Sequence, residues 1–486
     1  MTDANRIRVT TVRETSLGET PTTPRMRTAR LTGESLQYAP QFVQSQEIRD
    51  DRMNADPVKI NETNQGAINF ELSFPVDDSP MSDFIRSLMF NPWVNLPLRD
   101  NDGTADSVIT DIGTVADTIE FTTGAAFVVG HLVRTTGFTT SANNKLARVT
   151  TGGATSLVAA GAGYVAEAAP AAAARVKVVG FEGAAADITA LADGLGSTAL
   201  DFTTLGLSVG QWIKIGGTGA AYRFATEACN GFARVTAIAA GKLTLDNLPT
   251  GWAADVGTGK TIRVFAGDQV KNGVTRTSLT IERGFMGQTT PTYIAQRGMV
   301  VAQAEMNFTS EQVISGSFTI SGMTGEQSTT SLDDAPEAAT TNAIMSANVN
   351  VGRIAEAGAT VASPNWIRSL QLRANNNLRM ISAVGNVGAV DIGVGDLTVE
   401  LTLETYFGDN AMLAKLLAGT PSNVNARVTK NSQALIMALP RVTYTGGSPS
   451  AGQKNSDVML PLTGMVSVDE LTNAQLIFDR LEYFEA

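Results

Sequence analysis

The sequence predicts a mainly β protein. It reads as two pseudo-repeated β-sandwich or barrel domains, each with a flanking short helix, plus an inserted domain of two small β modules. Three observations carry this. A stretch opening at Ser35-Leu36-Gln37 and closing on an alternating strand at 66–74 is echoed by one opening at Ser369-Leu370-Gln371 and closing at 395–403. Each is followed by a turn and an amphipathic helix, with Phe84, Ile85 and Leu88 falling opposite Leu413, Ala414 and Leu417. After the first helix the composition shifts to Ala, Gly and Thr until about residue 270, and the second copy has no such insertion. A duplicated domain implies a pseudo-symmetric object, and identical copies of it can close a ring.

The elements follow in chain order. Residues 1–34 read as an extended N-terminal arm, because Pro21 and Pro24 among Thr residues resist helix. The first repeated domain is discontinuous, 35–100 with 271–340. In its strand Ile68, Phe70, Leu72 and Phe74 form one face, and Asn69, Glu71 and Ser73 the other. Asp77 to Ser79 can cap a helix starting at Pro80, with Met81, Phe84, Ile85, Leu88 and Met89 as its apolar stripe. Pro92 and the stretch 99–103 mark a boundary. The insert, 101–270, carries its own repeat: Ile119-Glu120-Phe121 resembles Leu200-Asp201-Phe202, Gly130-His131 resembles Gly210-Gln211, and Ala147-Arg148-Val149 resembles Ala233-Arg234-Val235. This gives modules at about 101–183 and 184–270. The polar stretch 325–341 reads as an exposed linker. The second domain, 341–486, has a strand with Leu397, Val399, Leu401 and Leu403 one way and Thr398, Glu400, Thr402 and Glu404 the other. A helix with Met412, Leu413, Leu416 and Leu417 follows Gly408-Asp409-Asn410, and further strands lie near 433–445, 457–468 and 474–484.

Composition excludes several classes. The chain has 486 residues, enough for two to four cores, and a single cysteine, Cys229, so no intrachain disulfide framework. The single histidine, His131, removes most zinc sites, and its repeat counterpart Gln211 suggests a surface strand position. No run of 18 apolar residues exists, so membrane insertion is not expected. A net charge of −11 is the wrong sign for gripping phosphates. The charge is polarised: Arg6, Arg8, Arg13, Arg25, Arg27 and Arg30 make the first 30 residues basic, while the last 20 are acidic. Opposite ends of this kind invite head-to-tail contact, although charged termini are also commonly just solvated. The segment 254–261 resembles a P-loop, but Ala254 replaces its first Gly and a strand, not a helix, should follow. No catalytic, cofactor or metal residues are expected, and no enzyme. Trp212 and Trp252 are the aromatic candidates for sugar stacking in the insert, or else core.

The ordered series Glu14-Thr15-Ser16-Leu17-Gly18-Glu19-Thr20-Pro21, Arg30-Leu31-Thr32-Gly33-Glu34, Ser45-Gln46-Glu47-Ile48-Arg49 and Glu71-Leu72-Ser73 resembles the tail tube protein of long, flexible-tailed bacteriophages (siphophages). Ser278 to Glu282, Asn376-Asn377-Leu378 and Pro440-Arg441-Val442 extend it. The resemblance covers 1–100 and 271–486 and not the insert. It implies a structural subunit of the virion tail, assembled in the host cytoplasm, that stacks as rings around the channel used in DNA ejection. The implied partners are further copies of itself, the tape measure protein, the baseplate or initiator and the tail terminator. Usual rings hold six single-domain subunits, so a duplicated chain implies homo-trimer rings with pseudo-six-fold symmetry. The polar faces Asn69, Glu71, Ser73 and Thr398, Glu400, Thr402, Glu404 then suit a channel wall that lets DNA slide; the competing reading is an ordinary solvent face. The arm arginines would reach the acidic end of the next ring. The insert would project outward as an immunoglobulin-like decoration, though it lacks a Cys-Trp-Cys framework. The rival assignments are another virion structural or decoration protein, and a surface-glycan-binding adhesin.

Overall fold

The computed structural model describes residues 3–102, 108–361 and 363–485. Gly103, at the predicted boundary, lies outside them. In the first half, before and after the insert, the elements are β1 (Ile7–Arg13), β2 (Gln37–Val43), β3 (Val58–Glu71), α1 (Pro80–Met89), β4 (Asp268–Lys271), β5 (Leu279–Phe285), β6 (Thr292–Thr309), β7 (Ser315–Ser321) and β8 (Thr324–Ser328). The second half has β9 (Val351–Glu356), β10 (Ile367–Asn375), β11 (Thr398–Tyr406), α2 (Ala411–Ala418), β12 (Ser422–Lys430), β13 (Gln433–Gly447), β14 (Val458–Val466) and β15 (Ile477–Leu481).

One antiparallel sheet runs through both halves in the order β2-β3-β7-β6-β10-β11-β14-β13. Its last four strands repeat the order of its first four, and β6 joins β10 at the seam. β6 and β13 are long enough to leave this sheet and enter a second one. The first part of β6 pairs with β5 and β8, and the first part of β13 with β12 and β15. β1 and β9 complete these outer sheets. Each half is therefore a sandwich of the same design. The duplication is real at this level, but the Ser-Leu-Gln triplets are not equivalent positions. Leu36 lies across from Gly66, whose missing Cβ would sit 2.4 Å from the Leu36 Cα, whereas Leu370 pairs with Leu403, eight residues beyond the corresponding Gly395.

Both helices form where the sequence places them. The Ser79 hydroxyl accepts the Ser82 N–H at 3.3 Å, and Pro80 opens α1. Phe84 packs 5.2 Å from Phe318, which stacks 4.8 Å from Phe70. α1 is covered on nearly every side, while α2 buries only Met412 and leaves Leu417 78% exposed. A single apolar core extends from α1 through β3, β7 and β6 into β10, β11, β13 and β14.

Three expected segments make contacts that the sequence does not show, and one residue expected at the surface lies inside. The arm is not free: β1 pairs with β5 along its whole length, and Val9, Thr10, Thr11 and Val12 are buried. The polar stretch after β8 is a strap, not a loose linker. Its Glu337 bridges to the backbone of Arg27, and Ser331 and Leu332 donate to Glu282. The two modules of the insert are halves of one body. Strands Arg175–Glu182 and Arg263–Phe265, one from each, pair at the centre of a shared sheet over a shared core. Their likeness is nonetheless close. Gly130 and Gly210 both have φ of 90°, and the His131 Nδ1 and Gln211 Oε1 accept the Val128 and Ser208 N–H groups at 3.2 and 2.9 Å. His131 is thus a turn-closing core residue, 2% exposed, and not a surface one. Burial pulls its imidazole down to about 4.

Candidate functional site

The long sheet has one apolar and one polar face, as strict alternation demands. Ile68, Phe70, Phe318, Met306, Leu372 and Leu401 point to the core. The polar side chains align in rows across the strands. One row runs Asn69, Ser317, Glu305, Arg373, Glu400, Met465, Thr443. The next runs Glu71, Ser315, Asn307, Gln371, Thr402, Thr463. Flanking rows hold Thr319, Gln303, Asn375, Thr398 on one side and Thr309, Ser369, Glu404 on the other. Six of the seven residues expected on this face are therefore on it. Ser73 is not. β3 ends at Glu71 because residues 72–73 turn to pair with the strap: Met345 N–H donates to the Leu72 carbonyl at 2.9 Å, and Ser73 bridges Ile344 and is buried.

The sequence reading missed the middle of the face. Glu305, Asn307, Gln303, Arg373 and Gln371 supply its polar contacts. The Glu305 carboxylate accepts from Asn307 at 3.0 Å and, across the seam, from Gln371 at 2.8 Å. Arg373 donates to Gln303 at 3.1 Å. A signal was present only on neighbouring β7, where Ser315, Ser317 and Thr319 alternate with Phe318 and Ile320. Across these rows Glu71, Glu305, Glu400 and Glu404 stand against Arg373, so the face is acidic with many neutral hydrogen-bonding groups. It offers a wide polar wall and no convergent set of titratable groups for chemistry. No side chain of the rows hydrogen-bonds an insert residue among those described.

The arm arginines divide. Arg13 pairs with Asp78 and lies 3.4 Å from Asp83; Arg27 reaches Glu337 at 3.1 Å and Asp78 at 3.7 Å. Arg25 pairs with Glu337 and with Asp102, and Arg30 donates to the Asn342 carbonyl. Among the described residues Arg6, Arg8 and Arg30 of the six have no ion pair, and of these three only Arg30 has a side-chain hydrogen bond. The acidic end is also engaged within the chain, with Glu482 on Arg175 and Glu485 on Arg263 at 2.9 and 2.8 Å. Of the sugar-stacking candidates, Trp212 is 2% exposed, and half-buried Trp252 donates its indole N–H to the Leu191 carbonyl at 2.7 Å. Trp212 is therefore core, and Trp252 packs partly buried against the insert core. The P-loop-like segment is followed by the strand Arg263–Phe265, and its Lys260 ammonium is held by the Ala220 carbonyl at 2.8 Å. Cys229 is a buried filler whose thiol points at the Ala253 carbonyl.

The sequence profile of the phage tail tube protein family matches residues 4–247 and again residues 240–466. The chain belongs to the phage tail tube family. The two matches agree with the duplicated sandwich seen in the sheets, although they meet inside the insert and not at the strap. No curated protein matches the chain. As a tail tube protein it is a structural component of the virion tail that self-assembles into a tube and meets other tail proteins. Among the described residues no helix is long and apolar enough to cross a membrane.

Proposed function

We propose that this tail tube protein forms trimer rings with pseudo-six-fold symmetry, stacked into the channel through which DNA is ejected, with the polar face of the eight-strand sheet lining it. The observation that carries this is the seam. β6 of the first four-strand array already pairs edge to edge with β10 of the second, from Gln303–Asn375 to Thr309–Ser369. A joint of the same kind between β13 and the first domain of the next chain would continue the sheet, and closure would remove both exposed edges. Two arrays per chain and six per ring give three chains. The bare face of α2, against the covered face of α1, fits a missing neighbour on that side.

The domain limits in this reading are 35–100 with 271–340, and 341–486, with 101–270 as the insert on the outside of the wall. A 170-residue body on the inside would obstruct the channel, and the insert makes its contacts on the outer sheets instead. The tape measure protein, the baseplate or initiator and the tail terminator are the expected partners, and assembly in the host cytoplasm the expected site. Arg6 and Arg8 remain as candidates for ring stacking. The test is electron microscopy of the concentrated protein, with symmetry determined from end-on views. Hollow tubes with three-fold rings and outward lobes are expected. Rings with true six-fold symmetry would eliminate the two-domain count, and solid or unringed assemblies would eliminate the channel.

A further inference from the structure

A domain inserted into another is by default expected to move relative to its host, since contacts between domains of one chain are usually modest and polar. The insert is fastened differently. Arg480 of β15, 1% exposed, places its Nε 3.0 Å from Asp268 and its Nη2 2.7 Å from Asp77. Its Nη1 donates to the Ser82 hydroxyl and the Pro75 carbonyl at 2.7 and 3.1 Å, and the guanidinium stacks 4.2 Å from the Trp93 ring. The same Asp268 carboxylate receives the Lys177 ammonium of the insert at 2.8 Å and the Leu96 N–H at 2.9 Å. One buried carboxylate is therefore shared by the second domain, the insert and the segment that follows α1. Although burial opposes its charge, Arg480 holds the neighbouring Asp77 down at about 2.

Around this cluster the C-terminal segment lies against the insert. Phe484 meets Phe232 edge-on at 5.5 Å, and Arg134 sits 4.3 Å over the Tyr483 ring. Leu132, Val179, Trp212 and Phe265 of the insert close one apolar cluster with Ala434, Ile436 and Leu481 of the second domain. Gly267, at the exit of the insert, passes so close to β15 that a Cβ there would lie 1.9 Å from the Arg480 carbonyl. β4 then continues as a strand of the second domain's sheet. A buried charge cluster of this kind is costly to break from one side, because each group left behind is buried and unpaired.

We propose that the insert is a brace that locks the two tube domains together, with residues 477–485 as its clasp, so that it is a working part of the tube wall and not a dispensable decoration. The insert, β15 and the segment after α1 then open as one unit. The test is hydrogen exchange by mass spectrometry on the full chain, native and Arg480→Met, with Lys242→Met as a control at an exposed ion pair of the insert. In the native protein, amides of 131–136, 175–182 and 477–481 should share one slow opening. Arg480→Met should raise exchange at least tenfold in all three segments, and Lys242→Met in none. Insert amides that open independently of β15 in the native chain would overturn the proposal, as would an Arg480→Met effect confined to β15. If Arg480→Met fails to fold, Glu482→Gln with Glu485→Gln carries the same readout at the rim of the contact. Faster exchange in 175–182 together with β15 supports the brace, and a change on one side alone refutes it.

Discussion

Asp479 on β15 is a carboxyl placed where a charge is unwelcome. It is buried; one oxygen accepts from Gln269 at 2.9 Å, and the Trp212 backbone N–H lies beside the carboxyl. Burial pushes it up to about 8, against the opposing pull of the Gln269 hydrogen bond and of nearby Lys271 and Arg234. The folded chain thus holds a proton that the unfolded chain releases near 3.8. The stability from that proton is complete below 3.8, declines as pH rises, and is gone above about 8. Asp83, held near 6 by burial despite Arg13, acts in the same direction over the lower part of this window. Asp479→Asn should therefore flatten the pH dependence between about 6 and 8, a difference on the order of 2 kcal/mol. Thermal melts of both proteins across this range check it; parallel curves would mean that Asp479 is ionised in the fold. None of this is legible in the sequence, where Asp479 belongs to an acidic tail. The same blindness applies to His131, whose likeness to Gln211 was visible but whose burial depends on a strand pairing that no local pattern states.

At the scale of elements, the alternating strands and both helices were legible because their signals are local. Period-two polarity in β11 and the Ser79-Pro80 start of α1 need no distant partner. β1 and the strap were not, because their partners are far along the chain: Arg13 pairs with Leu279, and Arg27 with Glu337. The middle of the polar face was missed for a related reason. β6 crosses from one sheet to the other, and its register with β7 shifts between Val301 and Gln303, so no single alternation spans its 18 residues. This changes how the basic segment should be tested. Removing β1 would strip a paired strand from the outer sheet and unfold the first domain. Arg6→Glu with Arg8→Glu leaves the strand and its buried face intact, and the expected outcome is normal melting with rings that fail to lengthen into tubes. Full-length tubes from this variant, seen by microscopy, would remove the segment from ring stacking.

For the whole molecule, the question is whether the acidic polar face works as a channel wall or is merely wet. In a closed ring the face would enclose a narrow water-filled space, where charges of one sign add and screening is less complete than on an open surface. Glutamates there would repel the phosphate backbone and keep contact with DNA weak and unspecific, while Asn, Gln, Ser and Thr would keep such a wall hydrated. Glu71 and Glu400 suit a test because each lies on a different array, and neither makes an ion pair that the fold needs among the described residues. Glu71→Lys with Glu400→Lys would move the proposed trimer ring by twelve charges, since each substitution shifts its site by two and there are two sites per chain. The variant should fold, melt within a few degrees of the native protein and still form tubes, because the exposed face contributes little to stability. Particles built from it should then eject DNA more slowly and with steep salt dependence, since each lysine near a phosphate adds a counterion-release contact. If ejection and infectivity are unchanged at low salt, the face does not meet the DNA, and the sheet is an ordinary sandwich with one side in water.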